Sequence, residues 1–199
     1  NTSRSLPTRL LHIALLLSVV WQLIGSNFVE PPRGVHPGNG FYEVHEVVGL
    51  ITFGLVLAFW VWAVFRRRDT AMAALFPWLS ATRRKSVKAD IANHWAQLRQ
   101  KRLPDSRTDS PLASAVHGLG LLTALAMGAS GVWLYAMSVP AGLPLEFHKL
   151  IANLMWAYVI GHAGLAVVHQ LSGHRVLQRM FGRRVLVDQG RSAKRQDAV

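Results

Sequence analysis

Four long apolar stretches constrain this chain more than any other feature of its sequence. They cover residues 10–29, 41–65, 111–137 and 147–171. Each reaches or exceeds the roughly 20 residues a helix needs to cross about 30 Å of hydrocarbon. Lys, Arg and Asp are absent from all of them except Lys149, which sits at a helix end where its ammonium can reach the headgroups. A segment in lipid must satisfy its own backbone hydrogen bonds, so each stretch is read as a helix. Only 16% of the residues are charged, against about 25% in an ordinary soluble domain. The first stretch lacks a small-residue cleavage site and further spans follow it, so it counts as a span and not as a signal peptide. The expected fold is an all-α integral membrane protein, a four-helix transmembrane bundle forming a single domain over residues 1–199.

The formal net charge of +12 would suggest nucleic acid in a soluble protein, but its distribution argues otherwise. Of the 22 Lys and Arg, all but Arg33 and Lys149 lie before the first span, between the second and third, or after the fourth. The positive-inside rule then places both termini and the central connection in the cytoplasm. All four Glu (Glu30, Glu43, Glu46 and Glu146) fall on the opposite, outer side. The basic surplus is assigned to topology and to lipid headgroups, with no nucleic-acid partner.

Between the spans, the outer loop 25–40 is rich in Pro and Gly and reads as irregular. The cytoplasmic loop 69–110 contains Val87, Ile91, Trp95 and Leu98 at helical spacing, read as opposite Arg84, Lys85, Lys88 and Arg99. That pattern predicts an amphipathic helix on the inner leaflet between spans two and three. A short outer loop around Pro140 and Pro144 joins spans three and four, and the basic tail 172–199 follows the last. Glycines within the spans favour close helix packing. Gly49 and Gly161, nearest the candidate ligands below, are the ones read as leaving room for a flat macrocycle.

The chain has no cysteine, which excludes disulfides, thiolate-held iron–sulfur clusters and covalent c-type haem. Nine histidines remain. An ionisable side chain inside hydrocarbon is costly, so each one there is a candidate functional group. His12, His45, His117, His148, His162 and His169 fall in or at the ends of the spans, whereas His36, His94 and His174 read as solvated. A single buried histidine is explained by a helix–helix hydrogen bond; six in one small bundle are not.

Spacing sharpens the argument. His148 and His162 share the fourth span, separated by almost four helical turns. At 100° per residue the step falls about 40° short of four full turns, so both rings leave nearly one face, about 21 Å apart along the axis. The second span enters from outside with His45 at its start, level with His148. The first enters from the cytoplasm, and His12 precedes Ser26 at its outer end by the same step, which puts it level with His162. Depth therefore pairs His45 with His148 and His12 with His162. Neutral imidazole ligates haem iron, and helix bundles build cofactor sites from facing side chains. Two b haems stacked across the bilayer are the expectation, with the four paired histidines binding the iron. His169 shares the face of His162, and His117 belongs to the same half of the membrane; either could replace an inner ligand. Both are assigned instead to a supporting or quinone-site role, together with Gln170.

The fourth span also carries a family resemblance. The run FHKLIANLMWAYVIGHAGLAVVHQLSGHRVLQRMF closely resembles the last helix of bacterial cytochrome b561 in its histidine spacing, in IAN, in YVIGH and in the VLQRM ending. His12 in RLLHIALLL, His45 in FYEVHEVVG and His117 in SAVHGLG fall where that family places histidines. The resemblance spans nearly the whole chain in topology. It implies two b haems bound by His148 with His45 and by His162 with His12. The long loop, with LFPW and LPDS…SPLA, is more similar to the cytochrome b subunits of nickel–iron hydrogenases and formate dehydrogenases. Those pass electrons from an outer redox subunit to quinone.

The expected function is therefore electron transfer between a periplasmic redox protein or catalytic subunit and the quinone pool, with quinone as exchangeable substrate. A homodimer is left open. A standalone quinone-linked oxidoreductase, such as the superoxide oxidase associated with compact family members, is the alternative. A transporter or metal-binding membrane protein would show broken helices or paired repeats, and the sequence shows neither.

Overall fold

The computed structural model describes residues 4–66, 72–100, 110–137 and 140–172. Its named elements are all helical. They are α1 (Leu6–Gly25), α2 (Gly40–Phe65), α3 (Met72–Leu75), α4 (Ala81–Arg99), α5 (Pro111–Tyr135) and α6 (Gly142–Leu171). Short 3-10 turns, Ser26–Phe28 and Pro77–Leu79, follow α1 and precede α4. Four helices, α1 with its 3-10 turn, α2, α5 and α6, are long and apolar enough to cross a membrane. Leu17, Val61, Leu119 and Leu165 are each more than half exposed on their outer faces. Water would penalise that much bare apolar surface, whereas lipid covers it. The tail beyond residue 172, His174 included, lies outside the described residues.

The helices begin and end where local chemistry permits. Asn39 caps α2 by accepting a hydrogen bond from the Tyr42 amide at 3.0 Å, and its own amide donates to the Phe28 carbonyl at 2.8 Å. One side chain thus ties both ends of the 29–39 loop together. Gly38 there has φ +86°, and a Cβ on it would stand 3.0 Å from the Glu30 carbonyl oxygen. Pro144 was expected in a loop but lies inside the first turn of α6, where a missing amide proton costs nothing because that turn has no partner for it. The helix can start that early because Gly142 accepts φ +67°.

Packing runs α1 on α2, α2 on α5 and α5 on α6. Trp62 of α2 donates its indole N–H to Thr8 of α1 at 2.8 Å. The LFPW segment wedges against α2 and α5. Phe76 stacks on Trp60 with centroids 5.4 Å apart, and Leu75 and Phe76 share a core with Leu121. Gly118 has no Cβ because the Leu75 backbone occupies that space.

The expected helix between spans two and three is present as α4, but its faces differ from the sequence reading. Arg99 lies over the Trp95 ring at 5.6 Å, so this basic residue borders the apolar stripe and does not oppose it. The side turned to α5 is polar. Asp90 accepts from the Ser110 hydroxyl and, at 3.0 Å, from the Leu112 amide, so it caps the N-terminus of α5. His94 donates to the Asp90 carbonyl at 2.8 Å. Ile91 and Trp95 are left exposed.

Candidate functional site

Although α6 packs along α5, it makes no extended approach to α1 or α2. Histidine side chains reach across the space between. At the end of the bundle with the short connections, the rings of His45 (α2) and His148 (α6) have centroids 6.3 Å apart and planes at 85°. Towards the α4 end, the rings of His12 (α1) and His162 (α6) are 6.4 Å apart at 57°. All four side chains are half-buried. The structure brings together the same two pairs that depth along the helices suggested.

The separations fit a shared metal ion. An imidazole nitrogen sits about 2.0–2.1 Å from a bound transition metal, and the ring centre lies roughly 1 Å behind it, so two rings on one ion stand roughly 6 Å apart. Nitrogen chemistry points the same way. The Nδ1 atoms of His12 and His45 are buried without a hydrogen-bond partner. A buried polar atom left unpaired costs about 1–3 kcal/mol, which calls for a functional reason. His148 is different: its Nδ1 lies 2.8 Å from the Ser130 hydroxyl. Among the described residues no group of three or more His, Asp or Glu gathers as a zinc-type cage would require. Opposed pairs, not clusters, are what two axial positions need.

At the pair nearer α4 a third histidine is close. His117 of α5 lies 5.1 Å from His162, edge-on at 82°. That is direct ring contact, too short for an ion between them. Its Nδ1 donates to the Ala113 carbonyl at 2.6 Å, which leaves Nε2 as an acceptor. Tyr158, one turn before His162, stacks on it with planes 10° apart and centroids 5.4 Å apart. Gly120 of α5 faces the Tyr158 ring so closely that a Cβ there would overlap it. The His12–His162 pair is thus walled by His117 and Tyr158.

The other sequence candidates fall around this frame. Gly49 faces the Gln22 amide, which donates to the His45 carbonyl at 2.8 Å, so its missing Cβ serves α1–α2 packing. A Cβ on Gly161 would meet nothing within 4 Å. His169 and Gln170 lie half-buried near the end of α6, beyond the inner trio. His36 pairs by backbone hydrogen bonds with Arg33 in the outer loop. Sequence reasoning missed Ser130, Tyr158 and Gln22. Ser130 and Gln22 each carry one signal, a polar residue within an apolar span.

A family model described as prokaryotic cytochrome b561 matches residues 3–183. The chain belongs to the prokaryotic cytochrome b561 family. No curated protein and no solved structure matches it. Membership of the b561 family implies haem b and electron transfer within a membrane, and the four apolar helices make this member a multi-pass protein in contact with lipid.

Proposed function

We propose that this chain is a di-haem cytochrome b that carries electrons between a periplasmic redox partner and the quinone pool. The observation that carries this reading is the recurrence of one motif at two depths: opposed imidazoles 6.3 and 6.4 Å apart, each with its α6 partner on the same helix face, at His148 and at His162. Haem b, when bound, supplies a one-electron couple at each pair. His45 and His148 hold the outer group; His12 and His162 hold the inner one. The ring separations leave room for one ion between the members of each pair, and the apolar spans around them would exclude water.

Charge supports the orientation. The basic residues gather at the α4 end and the Glu residues at the other, so both termini and α4 face the cytoplasm of an inner membrane. Exposed Ile91 and Trp95 then rest on the inner leaflet, flanked by Arg84, Lys88 and Arg99. His117, His169 and Gln170 lie in that half and offer hydrogen-bonding groups to a quinone. The outer end carries few basic residues and suits a basic periplasmic partner.

A pyridine haemochrome assay with redox spectra on the purified chain tests the reading. Two low-spin b haems per chain support it. A single haem would mean that one pair is misassigned, and none in the assembled protein would overturn the proposal.

A further inference from the structure

The two pairs differ in one respect that bears on direction. We propose that Ser130 is a positioning residue for His148 and gives the outer site a lower reduction potential than the inner site. This rests on the di-haem reading above and adds a second claim to it.

The hydrogen-bond directions follow from proton counting. Ser130 Oγ lies 3.0 Å from the Met127 carbonyl and 2.8 Å from His148 Nδ1. A carbonyl can only accept, so the single hydroxyl proton goes to Met127. Ser130 then accepts from His148, which fixes the proton on Nδ1 and leaves the Nε2 lone pair for a metal. Ser130 is only 3% exposed, so water does not dilute the bond. Its neighbour Gly131 faces the same ring, and a Cβ there would stand at ordinary contact distance, 3.4 Å, from His148 Cε1. One turn edge of α5 thus sets both the tautomer and the rotation of the ring.

The other three ligands have no such partner among the described residues. No hydrogen bond among these residues reaches a ring nitrogen of His12, His45 or His162, and His162 is backed by the Tyr158 ring face. An imidazole that donates a hydrogen bond is a more basic ligand. More basic ligation favours the more positive, oxidised iron and so lowers the potential. For one electron shared between the sites, the equilibrium has the outer site oxidised and the inner site reduced. Electrons are biased inward.

The test is spectroelectrochemical titration of the full chain in lipid nanodiscs, with each haem assigned beforehand by His148→Ala and His162→Ala. In Ser130→Ala the outer haem should become easier to reduce, its oxidised-to-reduced ratio at fixed ambient potential falling several-fold. The inner haem should not move, and Ser130→Thr, which keeps the hydroxyl, should restore the wild-type ratio. If Ser130→Ala fails to assemble, Ser130→Cys keeps the volume with a weaker acceptor and should shift the same haem in the same direction. Unchanged potentials with both haems bound, or a shift at the inner haem alone, would overturn the role of Ser130 and leave the di-haem reading standing. Failure of His148→Ala to remove a haem would instead bring down the pairing itself.

Discussion

The outer and inner histidine pairs are spanned by nearly equal ring distances, yet α5 supports them by different means. At the outer pair it presents Ser130 and Gly131, a hydroxyl acceptor and a gap, directly to His148. At the inner pair it presents Gly120 to Tyr158, and the Tyr158 ring in turn supports His162. His148 is held by a hydrogen bond and His162 by a ring face. A hydrogen bond fixes a proton as well as a rotation, whereas stacking fixes only the rotation. The comparison therefore separates what positions a ligand from what tunes it.

The largest effects should come from removing ligands. His148→Ala and His45→Ala should each take the haem stoichiometry from two to one and abolish the same spectral component. His12→Ala and His162→Ala should abolish the other. His117→Ala should retain both, because its ring touches His162 too closely to share an ion with it. Loss of a haem in His117→Ala, with both haems kept in His12→Ala, would exchange those two assignments and break the symmetry of the pairs.

Glycine substitutions on α5 come next in size. A Cβ at Gly120 overlaps the Tyr158 ring, so Gly120→Ala must push that ring off His162. Overpacking of this kind costs about 1–3 kcal/mol, and inner-haem occupancy in detergent should fall while the outer haem is kept. Gly131→Ala places its methyl at ordinary contact distance from His148, 3.4 Å, and should keep both haems. Haemochrome counts and thermal loss of the Soret band check both variants. Equal loss in the two would show that α5 does not support the sites separately.

Much of this arrangement is written in the sequence, and the part that is not has a common cause. The spans are legible because hydrocarbon admits only long apolar helices. The pairs are legible because the step from His148 to His162 along one helix fixes both face and depth, and because successive spans start from alternating ends of the bundle. Ser130 was not legible. Its contact with His148 depends on how α5 is rotated against α6, and neither helix's own periodicity records that. Asp90 capping α5 from α4 was missed for the same reason, since the acidic residue and the orphan amides sit on different helices. Pro144 lies outside the apolar stretch that starts at residue 147 yet inside α6, because hydropathy marks where a span turns apolar and not where its helix begins, and a first turn tolerates proline.

The smallest predicted effect is the most useful for separating the two modes of support. Tyr158→Phe removes a phenol oxygen and keeps the ring that stacks on His162 at 5.4 Å. If the inner ligand is held by ring shape alone, inner-haem occupancy and the oxidised-to-reduced ratio at fixed potential should both stay within about twofold of wild type, roughly 0.4 kcal/mol. Tyr158→Ala removes the ring face, and occupancy should fall. Redox titration of the two variants beside Ser130→Ala then gives a direct contrast. Losing a hydroxyl at the outer site should move a potential, while losing one at the inner site should not. A several-fold shift in Tyr158→Phe would mean that the phenol polarises the inner site as well, and the distinction between tuning and positioning would disappear.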